Sequence, residues 1–252
     1  MESLLGPVLR LWYRLRLNEI GPLLSLAALS FFAYAFVEIA GDVMEGDAQD
    51  LDRSLLLLLR QPDDLSDPIG PGWFEEAARD VTGLGGTTVL AFVTFAVVIF
   101  LFMVRKSASA LFVIFATIGG LFLSNLLKYL FERPRPDLVP HATEVYTASF
   151  PSGHAMLSAV TYLTLGALLA RFQPSRRVKG FFLSLAVILT LAVGASRVYL
   201  GVHWPTDVLA GWCIGAAWAA LCWFLALQLQ VHGQVEQPGE SGATDDVEAE
   251  RS

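Results

Sequence analysis

Several runs of this chain extend for roughly 20 residues with almost no charge, the length at which an α-helix crosses a bilayer. The hydrophobic fraction is 54% and the charged fraction 16%, too apolar for a soluble domain of 252 residues. The sequence therefore predicts an all-α integral membrane bundle of six transmembrane helices. The expected spans are residues 20–40, 85–104, 108–131, 153–171, 179–199 and 206–229. The first run begins far into the chain, has no small-residue cleavage site and carries Glu38, so it reads as a retained span. One domain is expected over residues 1–232, followed by a disordered acidic tail over 233–252. That tail carries Glu236, Glu240, Asp245, Asp246, Glu248 and Glu250 against Arg251 alone.

Orientation follows from the basic residues of the short loops. Arg10, Arg14 and Arg16 precede the first span, Arg105 and Lys106 follow the second, and Arg171, Arg176, Arg177 and Lys179 follow the fourth. In an alternating bundle these lie on one side, which predicts cytoplasmic N- and C-termini in a plasma or inner membrane. The longest connection, 41–84, holds two segments too short to span, Leu51–Arg60 and Trp73–Val81. Both are expected as short interfacial helices. Gly83, Gly85 and Gly86 resemble a phosphate loop only on the surface, since no strand precedes them and no Gly-Lys-Ser/Thr follows. Cys213 and Cys222 sit roughly 13 Å apart along one helix, beyond disulfide reach, and read as packing residues. The net charge of −7, with no basic surplus, gives no sign of nucleic-acid binding.

Ionisable residues at the ends of apolar spans need a reason to be there. Three clusters stand out: Lys128 to Arg135-Pro136, then Pro151-Ser152-Gly153-His154, then Ser196-Arg197 through His203 to Asp207. The third span ends at the first cluster and the fourth begins at the second. The fifth ends, and the sixth begins, at the third cluster. Six alternating spans put all three on one face, the extracytoplasmic one, where they can share a pocket between helices.

Each cluster suits phosphate chemistry. Lys128, Arg135 and Arg197 are cations matched to phosphate oxygens. Ser152 is a good N-cap, Gly153 permits close approach to the backbone, and a helix N-terminus attracts an anion. His203 and Asp207, four residues apart, share a helical face, so the carboxylate can fix the imidazole tautomer and leave the other nitrogen to attack. His154 remains as general acid and then base. Taken singly, each has an ordinary reading: a structural histidine, a headgroup anchor, a helix N-terminal acid. His141 and His232 have no partner pattern and read as structural or solvated. Glu38 reads as an interfacial acid, while Tyr129, Trp204 and Trp73 fit an aromatic belt. Tyr199 fits either the belt or the pocket wall.

Together, Lys-x6-Arg-Pro, Pro-Ser-Gly-His and Ser-Arg-x5-His-x3-Asp, over residues 128–207, resemble the type 2 phosphatidic acid phosphatase (PAP2) superfamily. The resemblance implies a metal-independent lipid phosphatase without a cofactor. His203 would form a phosphohistidine, oriented by Asp207, and His154 would protonate the leaving oxygen and then activate water. Lys128, Arg135, Ser152, Gly153 and Arg197 would hold the phosphate. The expected partners are membrane lipids and a lipid phosphate such as undecaprenyl diphosphate, phosphatidic acid or phosphatidylglycerophosphate, with carrier recycling for the cell envelope ranked first. Competing readings are a lipid phosphotransferase on the same site and a non-enzymatic lipid-binding protein. Vanadate-dependent haloperoxidases share similar motifs but are soluble, which six apolar spans oppose.

Overall fold

The computed structural model describes residues 2–137 and 148–231, and helices dominate both stretches. In chain order they are α1 (Glu2–Glu45), α2 (Gln49–Leu57), α3 (Gly72–Gly83), α4 (Thr87–Met103), α5 (Ser107–Phe131), α6 (Gly153–Phe172), α7 (Arg176–Tyr199) and α8 (Pro205–Val231). Five are long and apolar enough to cross a membrane, α1 contributing its Ile20–Glu45 portion. His141, His232 and the acidic tail lie outside the described residues.

The second expected span differs from its sequence reading. Helix α4 has 17 residues, a rise of about 26 Å, short of a hydrocarbon core of about 30 Å. Helix α3 runs into it through a turn at residues 84–86 with a 50° bend, and the two together reach spanning length. The expected short helix at Trp73–Val81 is thus present as α3 and the expected span at 85–104 as α4, with a sharp bend between them. Helix α1 likewise continues past its expected end at 40 to Glu45, since nothing between those positions stops a helix. The other short helix is α2, as the 41–84 connection leads one to expect.

Helix α6 is the interior element. More than half of its apolar window is buried (56%), against 11% for α1. It packs on α5, α7 and α8, with α4 touching it as well, while α1 lies along α8. Lipid offers little hydrophobic drive for helices to associate, so contact between them depends on close fit and small residues. The α6–α8 seam shows this. A Cβ at Gly215 would lie 2.6 Å from the Met156 carbonyl oxygen and 2.8 Å from Ala159 Cβ, and one at Gly211 would lie 2.7 Å from the Ser152 carbonyl oxygen. This approach brings the first turn of α8 against the start of α6, where the Ser152 N–H donates to the Asp207 carbonyl at 2.9 Å.

An aromatic cluster fixes the segment that enters α6. Phe150 is fully buried. Its ring stacks on Phe36 of α1 at 6.0 Å and meets Phe131 of α5 edge-on at 4.9 Å. The neighbouring residues 149 and 152 are thereby held at the polar end of the bundle. Both cysteines are free, Cys222 buried and Cys213 half-buried among α8 contacts.

The seam gives a paired test. Gly215→Leu forces backbone and side chain apart, an overpacking cost of about 1–3 kcal/mol. The expected result is a melting temperature in detergent lower by several degrees. At Gly41 nothing lies within 4 Å of an added Cβ, so Gly41→Leu is expected to leave the melting temperature unchanged within about 1 °C. Equal effects at the two positions would contradict the packing described here.

Candidate functional site

His203 occupies the turn between α7 and α8 and is 1% exposed, while Asp207 in the first turn of α8 is fully buried. The turn closes through Gly201 at φ +72°, a left-handed conformation that favours glycine. Pro205 begins α8 where its missing N–H costs nothing. Asp207 then reaches back, and its Oδ2 accepts from the Trp204 N–H at 2.9 Å, in the manner of a capping box. The same oxygen accepts from the Ser149 hydroxyl. It lies 3.4 Å from His203 Nδ1, and the Ser149 oxygen is also 3.4 Å from that nitrogen. The other carboxylate oxygen, Oδ1, accepts from Arg133 Nη1 at 2.6 Å.

The far side of the imidazole settles its tautomer. Arg135 Nη1 lies 3.1 Å from His203 Nε2. A guanidinium can only donate, so Nε2 is the acceptor and the ring proton sits on Nδ1, toward Asp207. Burial drives the His203 pKa from its ordinary 6.5 down to about 4, with the hydrogen bond and charge of Asp207 opposing the fall. The ring is therefore neutral at pH 7, with a lone pair on Nε2.

Around that lone pair lie the cations. Arg135 also donates to the Val202 carbonyl at 2.7 Å, and Lys128 Nζ to the Ala148 carbonyl at 2.9 Å. Arg197, 3% exposed, donates from Nη1 to Thr82 of α3 at 3.0 Å, and its buried Nε–H makes no hydrogen bond among the described residues. Lys128 lies within electrostatic range of Arg135, Arg197 and Asp207, and His154 within range of His203, Arg197, Lys128 and Arg135. All eight residues singled out in the sequence are thus at one end of the bundle, and the three clusters meet. Ser152 caps α6, accepting from the Ala155 N–H at 3.5 Å. Gly153 lies against Lys128, whose Cε an added Cβ would approach to 3.3 Å. The N-terminus of α6, three cations and one lone pair can together receive an anion and offer it a nucleophile. Among the described residues no group of three or more His, Cys, Asp or Glu side chains is placed to hold a metal ion.

Several site residues had no role in the sequence reading. Arg133 was only part of the first cluster, yet it binds Asp207. Ser149 carries no motif, yet its hydroxyl sits between Asp207 and His203. Asp52 of α2 is fully buried and ion-paired with Arg133 at 2.7 Å. One signal was present for it: Asp52 shares a helical face with the buried Leu56, four residues on, so an acid stands in an apolar stripe. Gly85, discarded as a phosphate loop, passes close by His154, whose ring an added Cβ would meet at 3.4 Å. Tyr199 is engaged with the 41–84 connection. Its hydroxyl donates to the Ile69 carbonyl at 2.9 Å and its ring meets Phe74, tying the 41–84 connection to α7. Tyr129 and Trp73 are exposed, as belt residues are, while Trp204 donates to the Pro134 carbonyl at 3.2 Å.

Helices of membrane-crossing length, closed at one end by a histidine–carboxylate pair beside three cations, define a multi-pass membrane protein with a cationic site suited to an anion. A family model described as the PAP2 superfamily matches residues 109–229. Phosphatidylglycerophosphatase B of Bacillus subtilis is 32% identical over 192 residues, covering 74% of this chain and 88% of that protein. An undecaprenyl-diphosphatase of Sulfolobus acidocaldarius is 32% identical over 115 residues, 46% of this chain and 48% of its own length. The crystal structure of a transmembrane PAP2 type phosphatidylglycerolphosphate phosphatase from Bacillus subtilis superposes with a TM-score of 0.63 at 27% identity, over 83% of this chain and 96% of that one. The chain belongs to the PAP2 superfamily. It is a phosphate ester hydrolase, and its relatives are lipid phosphatases.

The tautomer and the depressed pKa are open to direct measurement. In protein labelled with ¹⁵N-histidine, His203 is expected to be neutral with its proton on Nδ1 at pH 7, and to titrate with a midpoint near 4. Because the folded pKa is depressed below 6.5, His203 contributes stability that is present above about pH 6.5 and lost as pH falls toward about 4. A midpoint at or above 6.5 would contradict the buried, neutral ring.

Proposed function

We propose that this chain removes the terminal phosphate of a membrane lipid through a phosphohistidine on His203, with no metal ion. The observation that carries the reading is the pair of contacts on the His203 ring, Arg135 Nη1 at 3.1 Å from Nε2 and Asp207 Oδ2 at 3.4 Å from Nδ1, with Arg197 and Lys128 in electrostatic range of the pair. In the first step Nε2 bonds to phosphorus and the phosphorus–oxygen bond to the lipid breaks, the leaving oxygen taking a proton from His154. Asp207 balances the positive charge that develops on the imidazole. In the second step His154 takes a proton from water, the water oxygen attacks phosphorus, and the nitrogen–phosphorus bond breaks to release inorganic phosphate. Lys128, Arg135 and Arg197, with Ser152, Gly153 and the N–H groups of α6, hold the phosphate oxygens as charge builds in the transition state.

A lipid substrate is supported by the walls below the site. An apolar groove of about 480 Å³ runs between α4, α5 and α6, lined by Leu90, Ile114, Leu121 and Leu157 among others. Leu157 lies one turn beyond His154 on α6, so an acyl or isoprenyl tail in the groove leaves its phosphate at the polar end. The relative matched over most of both chains is named for phosphatidylglycerophosphate, which makes that lipid the first candidate, with undecaprenyl diphosphate second. The placement of Lys and Arg supports cytoplasmic termini and a site at the extracytoplasmic face of the plasma or inner membrane. Residues 1–232 form the catalytic unit in this reading, with 233–252 an appended acidic tail.

Purified protein is expected to release phosphate in EDTA from phosphatidylglycerophosphate, undecaprenyl diphosphate or phosphatidic acid, and poorly from a soluble ester. His203→Ala is expected to lower the rate by about 10³-fold or more. Equal release by variant and wild type would remove the proposed role of His203, and activity abolished by EDTA would remove the metal-independent step.

A further inference from the structure

We propose that Asp52 and Arg133 are positioning residues for the histidine–carboxylate pair. Asp52 supplies a missing cap to α8 and, through Arg133, fixes the rotation of Asp207. The inference rests on the reading of His203 as nucleophile.

The first turn of α8 needs acceptors for its unpaired N–H groups. The residue before Pro205 is Trp204, whose side chain cannot accept a hydrogen bond. Asp207 takes the Trp204 N–H, but the Thr206 N–H is left over. The carboxylate that meets it comes from 154 residues away. Asp52 Oδ1 accepts from the Thr206 N–H at 2.9 Å, and Oδ2 accepts from the Thr206 hydroxyl at 2.5 Å. The cap of α8 is therefore borrowed from α2, a helix of the connection between the first two spans.

Arg133 couples this cap to the reacting pair. Its Nη2 donates to Asp52 Oδ2 at 2.7 Å, and its Nη1 donates to Asp207 Oδ1 at 2.6 Å and to the Thr206 hydroxyl at 2.9 Å. Thr206 accepts from Arg133 through an oxygen lone pair and donates its hydroxyl proton to Asp52, so one hydroxyl group serves both bonds. The guanidinium is planar and its donors are fixed relative to one another. Held by Asp52 on one side, it offers Asp207 a donor in one direction only. With Oδ1 committed to Arg133, Oδ2 turns toward Ser149, Trp204 and His203 Nδ1. A carboxylate without that anchor has a rotation to spare, and the Nδ1 proton has no fixed partner.

The charges follow the same logic. Both carboxylates are fully buried, and the Arg133 side chain is 14% exposed. One cation is shared by two anions, which leaves negative charge on Asp207 for the imidazole to use. Removing the Asp52 charge gives Arg133 wholly to Asp207, and the pull of Asp207 on the Nδ1 proton weakens. A simple structural staple would have no such effect on the reaction beyond the amount of folded protein.

The test compares Asp52→Asn, Arg133→Lys and Asp52→Glu with wild type and with Asp50→Asn, an exposed acid of the same helix. Initial rates on phosphatidylglycerophosphate in detergent are measured across substrate concentrations and divided by the folded fraction from size exclusion and melting curves. His203→Ala is run beside them. Asp52→Asn and Arg133→Lys are expected to lower kcat by about 10- to 100-fold, with KM changed less than about threefold. The His203 imidazole ¹⁵N signals should shift. Asp52→Glu is expected to recover part of kcat, and Asp50→Asn to match wild type. Wild-type kcat in the first two variants, or a loss explained wholly by less folded protein, overturns the inference. If Asp52→Asn yields no folded protein, Arg133→Lys decides by the same criteria. Activity retained by His203→Ala would instead overturn the reading on which the inference rests.

Discussion

One buried carboxylate organises the polar end of this bundle. Asp207 is out of contact with water, and an ionised group in that position is tolerated only when its oxygens are fully paired. The partners come from the α7–α8 turn, from the segment entering α6 and from the residues after α5. Its backbone carbonyl takes the Ser152 N–H as well. A demand for hydrogen bonds at one residue thus gathers pieces of chain that are distant in sequence. The glycine seam between α6 and α8 is what lets them come close enough to supply it.

The cations around His203 have mostly neutral partners, carbonyl and hydroxyl oxygens and the imidazole, rather than anions. Arg197 donates to Thr82 but keeps a buried Nε–H with no partner among the described residues, and its neighbour Arg135 is another cation. Such repulsion lowers stability, and folds retain it where a charged ligand or transition state compensates for it. The groove of apolar side chains directly below suits the rest of a lipid. In the proposed reaction the anion that relieves the repulsion is the phosphate, and the neutral imidazole is the group placed to attack it.

Much of this was legible in the sequence because it depends on local or periodic signals. Runs of apolar residues locate the spans, and their alternation alone sends Lys128, His154, Arg197 and His203 to one end. The i, i+4 spacing of His203 and Asp207 is a property of a single helical turn. Ser149, Arg133 and Asp52 were not legible in the same way. Their roles depend on contacts across 58, 74 and 154 residues, and no local period encodes such a contact. The glycine-rich turn between α3 and α4 is legible as a break, but its 50° angle is not, because glycine permits many directions.

The central claim is that phosphorus bonds to His203. It is tested most directly by mixing the His154→Ala variant with ³²P-labelled lipid diphosphate, quenching in alkali within milliseconds to seconds, and mapping the label. Loss of His154 removes the base for water, while a lipid diphosphate, whose leaving phosphate departs with little need of an acid, still phosphorylates His203, so an alkali-stable, acid-labile label is predicted to accumulate on the peptide that carries His203. Labelling of another residue, or turnover by wild type with no labelled histidine in either protein, would contradict the account.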